Sequence, residues 1–188
     1  MRVITLLIML AGSILTVGMA AANDDNLPDT LKIDKIEVDK DGPAVVKVEF
    51  VNDEELAALT IPLAVVGGLY KIDSVSFTGS RVEYLKMRPV TIAEDKSKVV
   101  FGAICMTEDY IPAGKGLMAT IYLTPSKVAS PKADFVVIDT TTMGPASMMF
   151  TKVSSASFIP AFSAGMVSHK KPVKKDDTAQ QPGKEKGQ

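Results

Sequence analysis

The chain has 188 residues, with 21 Lys and Arg against 22 Asp and Glu, for a formal net charge of −1. That balance excludes the basic footprint of a nucleic-acid binder and supplies no strong acidic field. A single cysteine excludes an internal disulfide, and a single histidine excludes a multi-histidine zinc site.

The first 22 residues read as a signal peptide. Arg2 supplies a positive start, Val3 to Val17 is an apolar run, and Gly18-Met19-Ala20-Ala21-Ala22 offers small residues for cleavage after Ala22. The run is shorter than the ~20 residues that a spanning helix needs. Once it is cleaved, no membrane segment is expected, and the mature protein is expected to be secreted, extracellular or periplasmic. Residues 23–30 (NDDNLPDT) are short, acidic and broken by Pro28, which suits a flexible lead-in.

From Leu31 the dominant pattern is period-two alternation, the signature of half-buried strands. In AVVKVEFV, Val46, Val48 and Phe50 share one face, and Lys47 and Glu49 the other. LAALTIPLAV follows, with Leu59, Ile61, Leu63 and Val65 on a common face. Pro62 lacks an N–H, which predicts an edge strand or a neighbouring bulge. Further strands are predicted over residues 33–39, 70–77, 88–93, 98–106, 116–124, 134–140, 146–151 and 164–168.

Turn residues separate these strands, among them Gly67-Gly68, Thr78-Gly79-Ser80 and Met143-Gly144-Pro145. The pattern predicts an all-β, two-sheet β-sandwich over residues 31–168. Its expected core includes Val46, Val48, Phe50, Leu59, Ile61, Leu63, Phe101, Ile121 and Val137. Residues 169–188 (HKKPVKKDDTAQQPGKEKGQ) hold few apolar groups and are expected to be a disordered, Lys-rich tail beginning at His169.

Chemistry-bearing motifs are sparse. FTGSR has one glycine and no following helix, so Gly79 reads as a strand-to-strand turn and not as a phosphate loop. Arg81 and Glu83 then read as solvated, and Cys105, inside KVVFGAICM, as a small core hydrophobe. Acidic pairs at Asp24-Asp25, Asp53-Glu54, Glu94-Asp95 and Glu108-Asp109 fall in turns without EF-hand spacing. No cofactor is expected, with a structural calcium held by scattered loop oxygens left open. No catalytic residues are assigned.

Three stretches resemble the cohesin domain: VVKVEFVNDEELAALTIPLAV (Val45 to Val65), KVVFGAICMTEDYIPAGKGLMATIYLT (Lys98 to Thr124) and FIPAFSAGMV (Phe158 to Val167). The resemblance implies a jelly-roll sandwich of about nine strands and a non-catalytic binding or scaffolding module. It implies a dockerin-like protein partner held through a sheet face. The alternative is a carbohydrate-binding module of a polysaccharide-degrading system, which would expose aromatics among Tyr70, Tyr84, Tyr110 and Tyr122. Tyr122 falls with Thr120 and Thr124 on the polar face of its strand and is the binding candidate.

Overall fold

The computed structural model describes residues 28–39, 42–106, 109–126 and 135–170. The expected signal peptide, most of the acidic lead-in and the tail beyond Lys170 lie outside the described residues. Those described contain strands and turns and no helix. Residues 54–59 run from a bend into a strand.

Two sheets pack face to face. The five-stranded sheet has the order β12 (Ala161–Ser163), β1 (Thr30–Ile33), β3 (Ala44–Asn52), β8 (Gly114–Pro125), β5 (Tyr70–Ser76). The eight-stranded sheet contains β11 (Ser157–Phe158), β10 (Met149–Lys152), β4 (Leu56–Val66), β9 (Phe135–Thr140), β13 (Gly165–His169) and β2 (Lys35–Val38). Its remaining strands, β7 (Lys98–Ile104) and β6 (Val90–Ile92), extend from the other side of β4. The result is a jelly-roll sandwich.

Among the described residues thirteen strands stand where about nine were expected, in part because both terminal strands change sheet. The N-terminal strand breaks at Asp34, and the C-terminal strand breaks at Ala164. β1 pairs with β12, and β2 with β13, both in parallel. The two ends of the domain therefore staple both sheets together. Gly165 permits this crossing, since a Cβ there would lie 2.3 Å from Ile33 Cγ2 and 2.8 Å from the Asp34 carbonyl oxygen. β13 runs through His169, so the ordered domain extends past the expected boundary at Ser168. The His169 ring lies 6.2 Å from that of Tyr70.

Between the sheets lies a continuous apolar core, with Phe50, Phe101 and Phe150 fully buried and Phe50 edge-on to Phe150. Eight of the nine expected core residues are buried there; Val137 is the exception. In FVVI both parities are apolar, and the register of β9 turns Val136 and Ile138 inward and Val137 outward against Val66. In β8 a bulge buries both Met118 and Ala119, after which Thr120, Tyr122 and Thr124 face outward.

Pro62 does not mark an edge strand. It lies near the middle of β4, which β7 flanks on one side and β9 and β10 flank on the other. Its carbonyl accepts from Thr141 N at 3.3 Å, so its nitrogen faces that same second side. There β10 covers residues up to Thr60 and β9 begins at Leu63. The missing donor thus faces a gap between two partner strands.

Arg81 is half-buried and engaged by neighbours, where a solvated side chain was expected. Residues 78–84 form turns, and Glu83 Oε2 accepts from Gly79 N at 2.7 Å. The Arg81 guanidinium lies 4.4 Å from the centroid of the Phe50 ring. It donates to Asn52 Oδ1 at 2.9 Å, to the Gly114 carbonyl at 2.8 Å and to the Pro112 carbonyl. Asn52, the one buried polar residue among those described, donates in turn to the Glu54 and Pro112 carbonyls. Gly116 makes room, because a Cβ there would meet Arg81 Cδ at 2.7 Å.

Two stability outcomes follow from this packing. Gly165→Ala is expected to cost about 1–3 kcal/mol through overpacking at the strand crossing. Arg81→Met, which leaves Asn52 Oδ1 without its donor, is expected to cost a similar ~1–3 kcal/mol. Urea denaturation of each variant measures both; a midpoint equal to the wild-type value would contradict the stated role of that residue.

Candidate binding faces

Each sheet presents one face to solvent, and the two differ in chemistry. On the eight-stranded sheet, the outward positions of β4 are Ala58, Thr60, Pro62 and Ala64. Beside them on β7 stand Ile104, Gly102, Val100 and Lys98, in register with the β4 positions in that order. Met87 bridges to Ile104 at one margin, while Met149 and Thr151 of β10 continue the rows at the other. Along these rows the central positions carry no charge. Lys98 and Asp139, both opposite Ala64, mark the charged end. Met87 is 45% exposed, Ile104 38% and Met149 37%, so large apolar side chains rim a flat centre of small residues.

The outward face of the five-stranded sheet is an ordinary mixed surface by comparison. Lys32, Lys47, Lys71 and Lys115 stand on it with Glu49 and Asp73. Tyr122 is here, 41% exposed, between Val45 of β3 and Ser74 of β5. Thr120 and Thr124 share its face, as expected. The other tyrosines do not join it: Tyr70 is buried, and the Tyr84 hydroxyl donates to the Tyr110 carbonyl in a separate cluster. The four tyrosines therefore form no common platform.

Little in the sequence announced the apolar face. Its members are spread over β4, β7, β10 and the Met87 bridge, and the small residues at its centre belong to no motif. The available signal was the run of uncharged outward residues in LAALTIPLAV, where an ordinary solvated strand would alternate with charge.

No described group of three or more His, Cys, Asp or Glu side chains is arranged to hold a metal ion. Of the acidic pairs, Asp24-Asp25 and Glu108 lie outside the described residues. In Asp53-Glu54, the Glu54 carboxylate pairs with Lys152, while Asp53 is held through its backbone N–H, which donates to Asp29 Oδ1 at 3.3 Å. Asp95 caps its own turn through Ser97 N and Oγ. Cys105 is half-buried against the core, its thiol directed at the Leu56 carbonyl 3.6 Å away. Burial pushes its pKa above the ordinary thiol value, with nearby Asp109 adding to the effect and a backbone hydrogen bond from Ile111 opposing it.

No protein-family model matches the sequence, and no curated protein matches it. Solved structures do. A type I cohesin–dockerin complex from Clostridium thermocellum aligns with a TM-score of 0.62 at 16% identity, over 77% of this chain and 100% of that one. The seventh ScaB type I cohesin from Pseudobacteroides cellulosolvens gives 0.63 at 15% identity, over 76% and 92%. A non-cellulosomal cohesin from the hyperthermophilic archaeon Archaeoglobus fulgidus gives 0.56 at 10% identity, over 77% and 93%. At these identities the likeness is one of fold, and in fold the domain is cohesin-like.

Because a raised pKa keeps the Cys105 thiol protonated near neutrality, its alkylation there should be slow and should accelerate as pH rises beyond the ordinary thiol range. Iodoacetamide labelling followed by mass spectrometry checks this. Labelling at pH 7 as fast as that of a free cysteine would contradict the packed, protonated thiol.

Proposed function

We propose that this chain is a secreted, non-catalytic scaffold module that binds a dockerin-like protein partner through the outward face of its eight-stranded sheet. The observation that carries the reading is the uncharged centre of that face, Ala58, Thr60, Val100 and Gly102, rimmed by exposed Met87, Ile104 and Met149. Charge is depleted at the cores of protein interfaces and methionine is enriched there. Single exposed apolar residues need no explanation, whereas a group of them around an uncharged sheet centre suits a partner.

The sheet edges favour a face over an edge. The terminal strands β2, β6, β11 and β12 hold two to four residues each. The longer edge strand β5 gives its Ile72 N–H to the Lys96 carbonyl, and its Asp73 pairs with Lys96 at 3.8 Å. Short, occupied edges leave little for an added strand to pair with. Support for a dockerin-like partner comes from the structural neighbours, several of which were solved as cohesin–dockerin complexes. Support for secretion comes from the three-part leader at residues 1–22.

A charge placed at the centre tests the reading. Thr60→Glu should bury an unpaired carboxylate under the partner and lose at least about 2–3 kcal/mol of affinity, on the order of fiftyfold or more. Lys98→Glu, at the charged end, should change affinity far less. The assay is capture of dockerin-bearing proteins from the native secretome by immobilised domain, followed by titration of the captured protein. Equal affinity of Thr60→Glu and wild type would move the binding surface elsewhere; capture of polysaccharide alone would replace the protein partner.

A further inference from the structure

The register of the five-stranded sheet aligns four outward side chains that sequence order scatters. Lys32 of β1 stands opposite Glu49 of β3. Lys47, two residues along β3, stands opposite Thr120 of β8. Tyr122, two residues along β8, stands opposite Ser74 of β5, and Lys71 of β5 stands opposite Thr124. Lys32, Lys47, Tyr122 and Lys71 therefore occupy four adjacent strands, each one row further along than the last. With strands about 4.8 Å apart and like-facing residues about 6.8 Å apart, the line advances by roughly 8 Å per step.

The composition of this line is selective. All four side chains are exposed. The ion pairs among the described residues are Lys96–Asp73, Lys152–Glu54 and Lys170–Asp39, which leave Lys32, Lys47 and Lys71 without a carboxylate within 4 Å. Of the acids beside the line, Asp73 is held by Lys96 at 3.8 Å, Glu49 stands opposite Lys32, and Asp34 follows β1 across from Lys47. Hydroxyls of Thr120, Thr124, Ser74 and Ser76 flank the line. Among the described residues, the outward face of the opposite sheet has no comparable row of cations.

We propose that this face binds an acidic polysaccharide, an extended uronate-containing chain lying along the diagonal. Three lysines receive its carboxylates, and the Tyr122 ring receives the apolar face of a sugar between them. The hydroxyls beside the line match the hydroxyls of the sugar. A flat sheet suits a linear polymer, because a cleft would be needed to enclose a small acid. This binding is independent of the protein-docking face and leaves the two ligands on opposite sides of one domain.

The test is affinity electrophoresis of the full-length mature protein in native gels containing polygalacturonate, with dextran gels as the neutral control. The wild-type protein should be retarded by polygalacturonate and not by dextran, and added salt should weaken the effect. The variant Lys32→Gln/Lys47→Gln/Lys71→Gln should lose affinity by at least about tenfold, and Tyr122→Ala by several-fold to about tenfold, the usual scale for one central contact. Circular dichroism confirms that both variants keep the fold. Unretarded wild type would overturn the proposal, as would equal retardation of the triple variant, which would assign the effect to the lysines beyond Lys170. Binding to phosphatidylserine vesicles without retardation by polygalacturonate would overturn it too, in favour of a lipid surface.

Discussion

Pro62 is the constraint around which the eight-stranded sheet is arranged. A central strand must exchange hydrogen bonds on both sides, and β4 is one donor short near its midpoint. The partner strand on that side leaves the ladder where the donor is missing. A ladder continuing β9 would place Met143 opposite Thr60, but Met149 of β10 stands there. Residues 141–148 make an excursion between the two, closed by the bridge of Met143 to Ala146 and by Thr141 N on the Pro62 carbonyl. The uncharged face thus gains Met149 and Thr151 from a second strand, where an unbroken β9 would have continued.

Closure of the sandwich rests on different physics. At one end the Arg81 guanidinium is held over Phe50 and gives its hydrogens to neutral oxygens, with no carboxylate partner. Burial lowers its pKa, yet arginine stays charged across the accessible range, so the carbonyls of Pro112 and Gly114 and the Asn52 amide must solvate it. The strand crossings at Asp34 and Ala164 tie the sheets together elsewhere, where Gly165 lets one backbone approach the other. With no disulfide to link the layers, these contacts and the aromatic core hold them together.

Much of the fold was legible because alternation encodes which face of a strand is buried. Val46, Val48 and Phe50, or Leu59, Ile61 and Leu63, admit one parity only. FVVI admits two, and there the assignment of Val137 failed. Pro62 was read by its local rule, which describes the missing donor correctly but cannot say that a neighbouring strand will break to accommodate it. Arg81 was misjudged for a related reason. Its partners are Asn52 and two carbonyls more than thirty residues downstream, and no local pattern announces a half-buried arginine without an acid. The binding surfaces were harder still. Tyr122 and its threonine neighbours could be placed on one face of β8, whereas Lys32, Lys47 and Lys71 join that face only through register between strands far apart in sequence.

Taken together, the two proposals assign a folded partner to the sheet face with the uncharged centre and an acidic polymer to the mixed face that carries the lysine line. The measurement that bears most directly on the first is hydroxyl-radical footprinting of the domain alone and with its captured protein partner. Met87, Ile104 and Met149 react readily when exposed and report the apolar face; Tyr122 reports the other. The account predicts that the partner protects the first three and leaves Tyr122 as reactive as in the free domain. Protection of Tyr122 with no change at Met87, Ile104 and Met149 would contradict it.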